Sequence, residues 1–345
     1  MKPIDLRSDT LTQPTPAMRE AMANAEVGDD VFEEDPTLKK LETLAAKKIG
    51  KESALFVPSG TMGNLISVLS HCQRGDEVLL GDRSHIFVHE VGGMAALGGV
   101  HPRILRNNED GTLPLPLIEQ SIRQTDIHYP LTRLICLENT HNFCHGTPLS
   151  PEYMDSVAVL AAKYGLKIHL DGARLFNAAV ALDVEVETLT RQADSVMFCL
   201  SKGLSAPVGS LVSGNRDFIQ RARKMRKMVG GGMRQAGHLA AAGLVALENL
   251  VERLKDDHQN ARLLAEQLTV IKGIELDQTQ VKTNIIFFKL NHPEIDGDTF
   301  LSRLEAKSIK ILMTDPGVFR AVLHREVSRE QVETVAQTIK TILAQ

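Results

Sequence analysis

Short, continuously apolar runs alternate with segments of helical periodicity through the first three quarters of this chain, and this alternation narrows the choice of fold more than any other feature. The runs with the length and composition of strands lie at 54–57, 77–80, 134–138, 167–170, 195–200 and 210–213. Strands buried on both faces of a parallel sheet are apolar throughout, whereas half-exposed strands alternate apolar and polar residues. The pattern therefore predicts an α/β domain in which helices cover both faces of a mainly parallel sheet.

The pattern changes after the last of these runs. Apolar residues at helical spacing predict a helix over 216–229, and residues 237–268 form a long helical stretch that we interpret as a connecting helix. Three short strand candidates, "TNIIFFKL", "SIKILM" and "VFRAVLH", then flank one helix, and a final helix is predicted over 329–343. We therefore predict a large domain over 1–250 and a small α+β domain over 251–345.

The composition indicates a globular protein whose partners are small molecules. The 345 residues are 43% hydrophobic, enough for a sizeable core, and the formal net charge of -4 argues against a protein that coats nucleic acid or an anionic membrane. Charged residues near the N-terminus occupy the place of a signal peptide's apolar core, and no apolar run approaches the ~18 residues of a membrane span. The four cysteines are widely spaced, without metal-ligand spacing. We expect a cytoplasmic location, no metal, and no nucleic-acid or membrane partner.

Polar residues that directly follow the predicted strands are the candidate site, because open α/β sheets bind ligands outside the carboxyl ends of their strands. Ser59, Gly60 and Thr61 follow the first run and precede a helical segment. Glycine permits close backbone approach, and the free N–H groups of a helix start favour a phosphate. An N-cap and a turn without any ligand explain the same motif equally well.

Three further residues follow later strands. Asp171 comes after a buried run, where a carboxylate could keep a ring nitrogen protonated or could cap a helix with Arg174 as its local partner. Lys202 follows the next run, and is either a covalent catalyst facing the same pocket or a solvated residue at the edge of the sheet. His85 follows another strand, and its flat imidazole suits stacking on a cofactor ring or an ordinary place in a loop.

Together these residues have a common explanation. A phosphate cradle, an aspartate for a pyridinium nitrogen and a lysine that forms a Schiff base are the three things that pyridoxal 5'-phosphate (PLP) needs from a protein. The combination therefore predicts PLP as the cofactor.

The chain resembles the threonine aldolases, a family of the PLP-dependent fold type I superfamily, in seven segments that occur in family order. They are "DLRSDTLTQPT", "AEVGDDVFEEDP", "FVPSGTMGNL", "CLENTHN", "IHLDGARLFNA", "CLSKGLSAPVGSL" and "RKMVGGGMRQAG". The resemblance covers essentially the whole chain and implies a large domain similar to aspartate aminotransferase. It also implies reversible cleavage of L-threonine, L-allo-threonine and related L-β-hydroxy-α-amino acids to glycine and an aldehyde.

The resemblance implies roles for residues at matching positions. Those for the cofactor are Lys202 as the Schiff-base lysine, Asp171 as the partner of the pyridine nitrogen, His85 as the stacking residue, and Ser59, Gly60 and Thr61 as the phosphate cradle. Those for the substrate carboxylate are Ser8, Arg174 and Arg320, since a guanidinium fork donates two parallel hydrogen bonds. His128 matches a histidine near the substrate's β-hydroxyl and is a candidate base, although His85 or a held water could take that proton.

By the same resemblance, Lys227 and Arg234 approach the site of a neighbouring subunit, which implies a homo-oligomer, a tetramer built from dimers. A solvated basic helix end is the plain alternative for both residues. The chain departs from the family's pattern at Phe32 and Glu33, where tyrosine and glycine are usual, and this departure leaves the substrate preference open.

Two further departures lie in other parts of the sequence. His89 stands where an aromatic residue is commoner in the family. The segment 142–150 is longer than in many relatives and includes Cys144 and His145. The sequence indicates no function for this longer segment.

Other reactions of PLP stay open at this point, because one fold hosts many chemistries. They are cleavage of phenylserine, transamination and racemisation, and product analysis separates them from cleavage of threonine. A rival of another class is a non-catalytic oligomeric binding protein with a vestigial site, which would show no absorbance band of PLP.

Overall fold

The computed structural model describes residues 3–344, and its largest sheet is built from the predicted apolar runs. The strands, in chain order, are β1 Ile4–Asp5, β2 Ser53–Val57, β3 Glu77–Gly81, β4 His101–Leu105, β5 Thr132–Glu138, β6 Lys167–Asp171, β7 Ser195–Cys199, β8 Ser210–Gly214, β9 Ile274–Glu275, β10 Ile285–Leu290, β11 Ile309–Lys310, β12 Leu312–Asp315 and β13 Val318–Val322. All six strands predicted for the large sheet form, each within two residues of its predicted bounds.

The large sheet has seven strands in the order β2-β8-β7-β6-β5-β3-β4. Strand β8 runs antiparallel to both of its neighbours, and the other pairings are parallel. Every residue of β3, β7 and β8 is buried, as expected for strands that helices cover on both faces. The predicted α/β class with a mainly parallel sheet is confirmed.

Strand β4 is the member of this sheet that the apolar pattern did not reveal. It lies at the edge and pairs with β3 alone. Its first residues, His101, Pro102 and Arg103, are exposed or half-buried. Proline lacks the N–H that a central strand needs, so the edge is the place in a sheet that tolerates it. The low burial of β4 explains why it shows no continuous apolar run.

Fourteen α-helices and three 3-10 helices connect the strands between residues 3 and 344. The α-helices are α1 Pro16–Ala23, α2 Pro36–Lys48, α3 Gly60–His71, α4 His85–Val88, α5 Gly93–Ala96, α6 Leu115–Ser121, α7 Pro151–Tyr164, α8 Leu175–Leu182, α9 Val186–Thr190, α10 Arg216–Met228, α11 Gly237–Asn249, α12 Leu254–Thr269, α13 Gly297–Ala306 and α14 Arg329–Leu343. The 3-10 helices are Asp9–Leu11, Asp30–Phe32 and Gln278–Gln280. Ser328 and Gln331 form a capping box at the start of α14, whose bounds coincide with the predicted ones. None of the described helices is long and apolar enough to cross a membrane.

The predicted connecting helix over 237–268 is in fact two helices, α11 and α12, separated by residues 250–253. Neither glycine nor proline lies in this break, so the sequence carries no local signal for it. Leu247 of α11 packs in the core beside the large sheet, whereas Ala261 and Leu264 of α12 pack in a second core. The start of α12, at Leu254, still packs in the first core, and the rest of α12 packs in the second, so tertiary packing overrides local propensity at this break.

A smaller sheet has four strands in the order β12-β13-β10-β9, and it contributes to the second core. The candidate "SIKILM" forms two short strands, because β11 pairs in parallel with the N-terminal β1 while β12 pairs with β13. Leu6, next to β1, also belongs to the second core. The N-terminal segment therefore packs against the C-terminal part of the chain. The domain boundary at residue 250 stays a prediction, which the two cores support.

One strained backbone position lies in the segment that departs from the family's pattern. Glu33 follows the 3-10 helix Asp30–Phe32 with φ 56° and ψ 40°, in the left-handed region. A side chain there costs about 1–2 kcal/mol, whereas glycine adopts the region freely. We expect Glu33→Gly to raise the free energy of unfolding by about 0.5–1 kcal/mol, because glycine's greater loss of entropy on folding offsets part of the gain. Urea unfolding followed by circular dichroism measures this change.

Glu34→Gly is the matched control for that variant. Glu34 carries the same charge and is also exposed, but it lacks a positive φ. This control should lose stability by up to about 1 kcal/mol. Equal changes in the two variants would show that strain at Glu33 contributes nothing.

Candidate active site

Four ionisable side chains meet where strands of the large sheet end. Asp171 is the last residue of β6 and Glu138 is the last residue of β5, and the two are partners in the register. Lys202 lies just beyond β7, and His85 begins the short helix α4 beyond β3. Because these parallel strands share one carboxyl edge, the topology places all four residues on the same side of the sheet.

A cavity of about 300 Å³ opens at this edge. Its walls include five residues predicted to contact cofactor or substrate: Ser8, His85, Arg174, Lys202 and Arg320. Other parts of the wall come from Glu138, Asn142, His89 and Phe143. The rings of His89 and Phe143 stack with centroids 4.8 Å apart, and they also border a larger cavity of about 1140 Å³ next to β9 and β10.

Asp171 is 1% exposed and lies among other carboxylates. Its Oδ2 accepts a hydrogen bond of 2.9 Å from Asn64 Nδ2, and its Oδ1 accepts one of 3.1 Å from the backbone N–H of Ala173. Burial, together with the charges of Glu138 and Glu90, raises the pKa of Asp171 to about 7. A cation bound at this carboxylate would restore its ionised form.

His85 is held by two carboxylates. Its ring Nδ1 lies 2.9 Å from Glu90 Oε1, and its backbone N–H donates to Glu138 Oε2 at 2.7 Å. Burial alone would lower the pKa of His85, but the hydrogen bond to Glu90 and the surrounding carboxylates raise it. With Nδ1 on Glu90, Nε2 is the ring nitrogen left to act in the cavity.

Two arginines line the cavity with different degrees of pairing. Arg174 is 6% exposed and forms a bidentate ion pair with Asp9, both contacts being 2.7 Å. Arg320 donates to Asn142 Oδ1 and to the carbonyl oxygen of Arg7, both at 3.0 Å, while its buried Nε has no hydrogen-bond partner in the described part of the chain. Burial and the charge of Arg174 lower the pKa of Arg320 to about 10. A carboxylate ligand would satisfy such a donor.

The loop that carries Lys202 is held at both ends. The carbonyl oxygen of Lys202 accepts a hydrogen bond of 2.8 Å from Thr12 Oγ1 and one of 2.9 Å from the backbone N–H of Ser205. Gly209 closes the loop with φ 106°, and a Cβ at this position would lie 2.4 Å from Phe56 Cε2. Glycine is therefore required there, and the backbone of Lys202 is fixed at the cavity.

The predicted phosphate cradle is the start of α3. Ser59 caps this helix, because its Oγ accepts a hydrogen bond of 3.1 Å from the N–H of Met62. Gly60 packs so closely that a Cβ would lie 3.0 Å from Cys199 Sγ. The N–H groups of Gly60 and Thr61 precede the first intrahelical bonds and remain available to an anion. Capping and phosphate binding are thus compatible, although the cradle lies outside the walls of the 300 Å³ cavity.

Three predicted residues lie away from the cavity within one chain. His128 is exposed, and its Nδ1 lies 2.7 Å from Asp126 Oδ1. Lys227 is exposed at the end of α10, and the exposed Arg234 pairs with Asp29 at 3.0 Å. A single chain therefore does not bring these three residues to the predicted substrate position.

The segment 142–150 connects the sheet edge to the C-terminal part of the chain. Cys144 is buried, and His145 lies edge-on to Phe287 with ring centroids 5.3 Å apart. The carbonyl oxygen of Gly146 accepts a hydrogen bond of 2.8 Å from Thr283 Oγ1. The segment is thus a structural part of the wall of the larger cavity.

Sequence reasoning did not identify five residues that shape this site: Asp9, Asn64, Glu90, Glu138 and Asn142. Asp9, Asn64, Glu138 and Asn142 lie within the segments that resemble the threonine aldolases, whereas Glu90 does not. A position inside such a segment was the one sequence signal that could have identified these four residues. Glu138 is the last residue of β5, inside the predicted apolar run, and none of the five lies directly after one of the predicted runs. Their importance comes from partners that only the fold brings close.

The donor set fits PLP. Lys202 places an amine at the cavity. The raised pKa of Asp171 shows that its ionised carboxylate has too little compensating positive charge nearby, which a bound cation would supply. Arg320 has an Nε–H without a partner among the described residues, which could bind an acid group. Ligand atoms of His85, Glu90 and Asp171 also lie within 4.8 Å of one another, so this cluster could hold a metal ion. A protonated ring nitrogen would supply the same positive charge.

Solved structures establish the class to which this fold belongs. Threonine aldolase from Leishmania major matches with a TM-score of 0.84 and 21% sequence identity, covering 99% of this chain and 100% of that chain. SPT, solved with PLP, matches with a TM-score of 0.78 and 17% identity, covering 98% of this chain and 87% of that chain. The predicted PLP fold type I architecture is confirmed.

Sequence similarity narrows this class to one family. The Beta-eliminating lyase family model matches residues 5–291. Low-specificity L-threonine aldolase 1 of Arabidopsis thaliana is 51% identical over 336 residues, which are 96% of this chain and 94% of that protein. The chain belongs to the threonine aldolase family.

The buried ion pair of Asp9 and Arg174 predicts a large effect on stability. Asp9→Asn would leave the guanidinium charged and buried without its carboxylate, and such a loss costs about 3–5 kcal/mol. We expect the free energy of unfolding of the cofactor-free protein to fall by about that amount in urea unfolding. Burial would raise the pKa of Asp9, but Arg174 holds it below its usual range. The stabilisation is therefore fully present above pH of about 4 and is lost only in stronger acid.

Asp5→Asn is the matched control, because Asp5 pairs with Arg7 in the same segment and Arg7 is 46% exposed. An exposed pair contributes about 0–1 kcal/mol, so this variant should unfold nearly as the wild type does. Equal losses in the two variants would contradict the importance of burial at Asp9.

Proposed function

We propose that this protein uses PLP to cleave L-threonine, L-allo-threonine and related L-β-hydroxy-α-amino acids reversibly to glycine and an aldehyde. The observation that carries the proposal is the buried Nε of Arg320, which has no hydrogen-bond partner among residues 3–344, at a cavity that also holds Lys202 and His85. An amino-acid substrate would supply a carboxylate to accept a hydrogen bond from Arg320. It would also supply an amine that can react with the aldehyde of PLP at Lys202. The family relationship supports the same activity, since a relative 51% identical bears the name low-specificity L-threonine aldolase.

Residues of one chain would hold PLP at several points. Lys202 would bond to its aldehyde, Asp171 would contact its ring nitrogen, His85 would lie against its ring, and the N–H groups of Gly60 and Thr61 would bind its phosphate. When bound, PLP supplies an electron sink for the bond that breaks at Cα. The positive ring nitrogen would also lower the pKa of Asp171, because its attraction for the carboxylate offsets the effects of burial and of Glu138 and Glu90.

Substrate orientation would depend on three donors in the cavity. Arg320 can offer its free Nε–H, and Arg174 keeps two N–H groups beyond its contacts with Asp9 and Asn142. Ser8 Oγ accepts from Thr10, which leaves the hydroxyl hydrogen of Ser8 free to donate. Binding the carboxylate at these donors fixes which Cα bond is perpendicular to the cofactor ring, and aldol cleavage needs Cα–Cβ in that position.

A base must take the proton of the substrate's β-hydroxyl. His85 is the predicted histidine that reaches the cavity in one chain, and its Nε2 is not used by Glu90. We assign the proton transfer to His85, either directly or through a held water. His128 would serve only in an assembly that brings its exposed loop to another chain's cavity.

A homo-oligomer is the state that the exposed apolar residues favour. Phe32 is 70% exposed and Met228 is 73% exposed, and the ion pair of Asp30 with Arg226 brings their two segments together. Large apolar side chains rimmed by charges mark contact surfaces. Association through this face would place Lys227 and the nearby basic residues at a neighbouring subunit. Sedimentation velocity distinguishes a monomer from the proposed tetramer built from two dimers, and a cytoplasmic location stays a prediction.

Product analysis with purified protein and PLP tests the activity. We expect equal amounts of glycine and acetaldehyde from L-threonine and L-allo-threonine. Lys202→Ala should lower turnover by at least about 10³-fold and abolish covalent retention of PLP after borohydride reduction, since it removes the nucleophile. Lys39→Ala, an exposed change on α2, is the control and should leave both unchanged.

Each failure of this test has a separate meaning. Formation of a keto acid would indicate transamination, and conversion of L-threonine to D-allo-threonine without cleavage would indicate racemase chemistry, because only the configuration at Cα is inverted. Normal turnover by Lys202→Ala would remove Lys202 from the chemistry.

Asp171 predicts a pH dependence of stability in the cofactor-free protein. Its pKa is raised to about 7 mainly by burial, from about 3.9 in the unfolded chain. The folded state therefore binds a proton more tightly, so stability falls as the pH rises from about 4 to about 7. Asp171→Asn carries no ionisable group at this position, so it does not lose this stability. The melting temperature of the variant minus that of the wild type should therefore increase by several degrees from pH 5 to pH 8. The same variant with PLP should be nearly inactive, and a pH-independent difference in melting temperature would contradict the assigned charge.

A further inference from the structure

A chain of buried polar side chains leads away from Asp171 through the large sheet. Asn64 Nδ2 donates to Asp171 Oδ2 at 2.9 Å, and Asn64 Oδ1 lies 3.0 Å from His169 Nε2. His169 Nδ1 lies 2.9 Å from Ser195 Oγ, which lies 2.8 Å from His71 Nε2. Asn64, His169 and Ser195 are all almost completely buried. Burying polar groups is costly unless they are paired, and the chemistry above gives these residues no role.

The directions of these hydrogen bonds can be deduced from Asn64. Its Nδ2 also donates to Glu90 Oε1 at 2.8 Å, so the NH₂ group faces two carboxyl groups and Oδ1 faces His169. The flipped amide would set its oxygen against both carboxyl groups, which is unfavourable. His169 Nε2 therefore carries the hydrogen, and its Nδ1 accepts from the hydroxyl of Ser195, which accepts from His71 Nε2–H. Every donor in the chain points towards the carboxyl groups.

The two histidines keep this direction because they stay neutral. Burial lowers the pKa of His169 to about 3 and the pKa of His71 to about 4. A neutral imidazole with a fixed tautomer donates at one nitrogen and accepts at the other. His169 thus holds the amide of Asn64 in the one orientation that presents N–H groups to Asp171.

Asn64 also links the two residues predicted to contact the cofactor ring. One N–H binds Asp171, and the other binds Glu90 Oε1, which lies 2.9 Å from His85 Nδ1. The amide therefore separates two carboxyl groups that would otherwise repel each other, and it holds His85 in a fixed position relative to Asp171.

We propose that Asn64 and His169 are positioning residues for the cofactor, and that they act through Asp171. Asn64 stabilises the ionised carboxylate and holds its orientation, and His169 holds the Asn64 amide. This inference rests on the proposed PLP site. Loss of the amide weakens the contact of Asp171 with the ring nitrogen and leaves the contacts with the phosphate intact.

The test compares PLP with 1-deazapyridoxal 5'-phosphate, which has a carbon atom in place of the ring nitrogen. Dissociation constants are measured by equilibrium dialysis on cofactor-free wild type and variants. Wild type should prefer PLP, and Asn64→Leu should lose about tenfold or more of that preference, as expected for a hydrogen bond to a charged group. Its affinity for the deaza analogue should change by less than about twofold.

His169 supplies a conservative pair of variants for the same measurement. His169→Leu should lose preference for PLP in the same direction as Asn64→Leu, because the amide is no longer held. His169→Gln should retain most of it, because the glutamine amide can still donate to Asn64 Oδ1. Equal weakening of both ligands, or an unchanged preference, would overturn the inference. Wild-type protein that binds neither ligand would overturn the proposed function and this inference with it.

Nitrogen-15 NMR of histidine-labelled, cofactor-free wild type gives a second readout that needs no variant to fold. His169 should appear as a neutral Nε2–H tautomer between about pH 6 and about pH 9. A Nδ1–H tautomer, or titration of His169 within that range, would contradict the deduced direction and overturn the proposal.

Discussion

The structure depends on how charge is balanced among buried carboxyl groups at the carboxyl edge of the large sheet. Asp9, Glu90 and Asp171 are each at most 6% exposed, and an unpaired buried charge costs several kcal/mol. Arg174 compensates Asp9 with two hydrogen bonds, and His85 lies against Glu90. Asp171 accepts hydrogen bonds from an amide and a backbone N–H, and burial together with the charges of Glu138 and Glu90 raises its pKa. A protonated ring nitrogen would supply the positive charge that Asp171 lacks, so the electrostatics of this edge fit the proposed cofactor.

The same balance explains why the N-terminal segment crosses the site. Strand β1 pairs with β11, Asp9 then binds both Arg174 and Asn284, and Thr12 donates to the carbonyl oxygen of Lys202. The segment thus joins the C-terminal part of the chain to the loop that carries the lysine. Arg320, in β13, depends on the same C-terminal part. The parts of the site that are predicted to bind substrate and cofactor are therefore connected through a few residues at the start of the chain.

Position along the chain explains which features the sequence could predict. A strand covered on both faces must be apolar throughout, so the parallel strands were predictable, whereas the edge strand β4 and the break at 250–253 gave no such signal. Lys202 was found because it follows a strand end, a place that chain order alone reveals. Asn64 and Asp9 contact partners 107 and 165 residues away, and only the fold creates those contacts. Residues that act through another residue therefore escaped an argument based on local sequence.

Helix α3 shows how the fold keeps the contacts for the cofactor in register. Ser59 caps its start, Asn64 meets Asp171 one turn later, and His71 ends both the helix and the polar chain. At 1.5 Å per residue, the 12 residues of α3 extend about 18 Å as one stiff element. A movement of the whole helix would therefore displace its start and the amide of Asn64 together, whereas replacement of the Asn64 side chain alone leaves the helix start in place. Lys202 lies on a separate loop beyond β7, so its side chain is positioned independently of the two contacts predicted for α3, one with the phosphate of the cofactor and one with the carboxylate of Asp171.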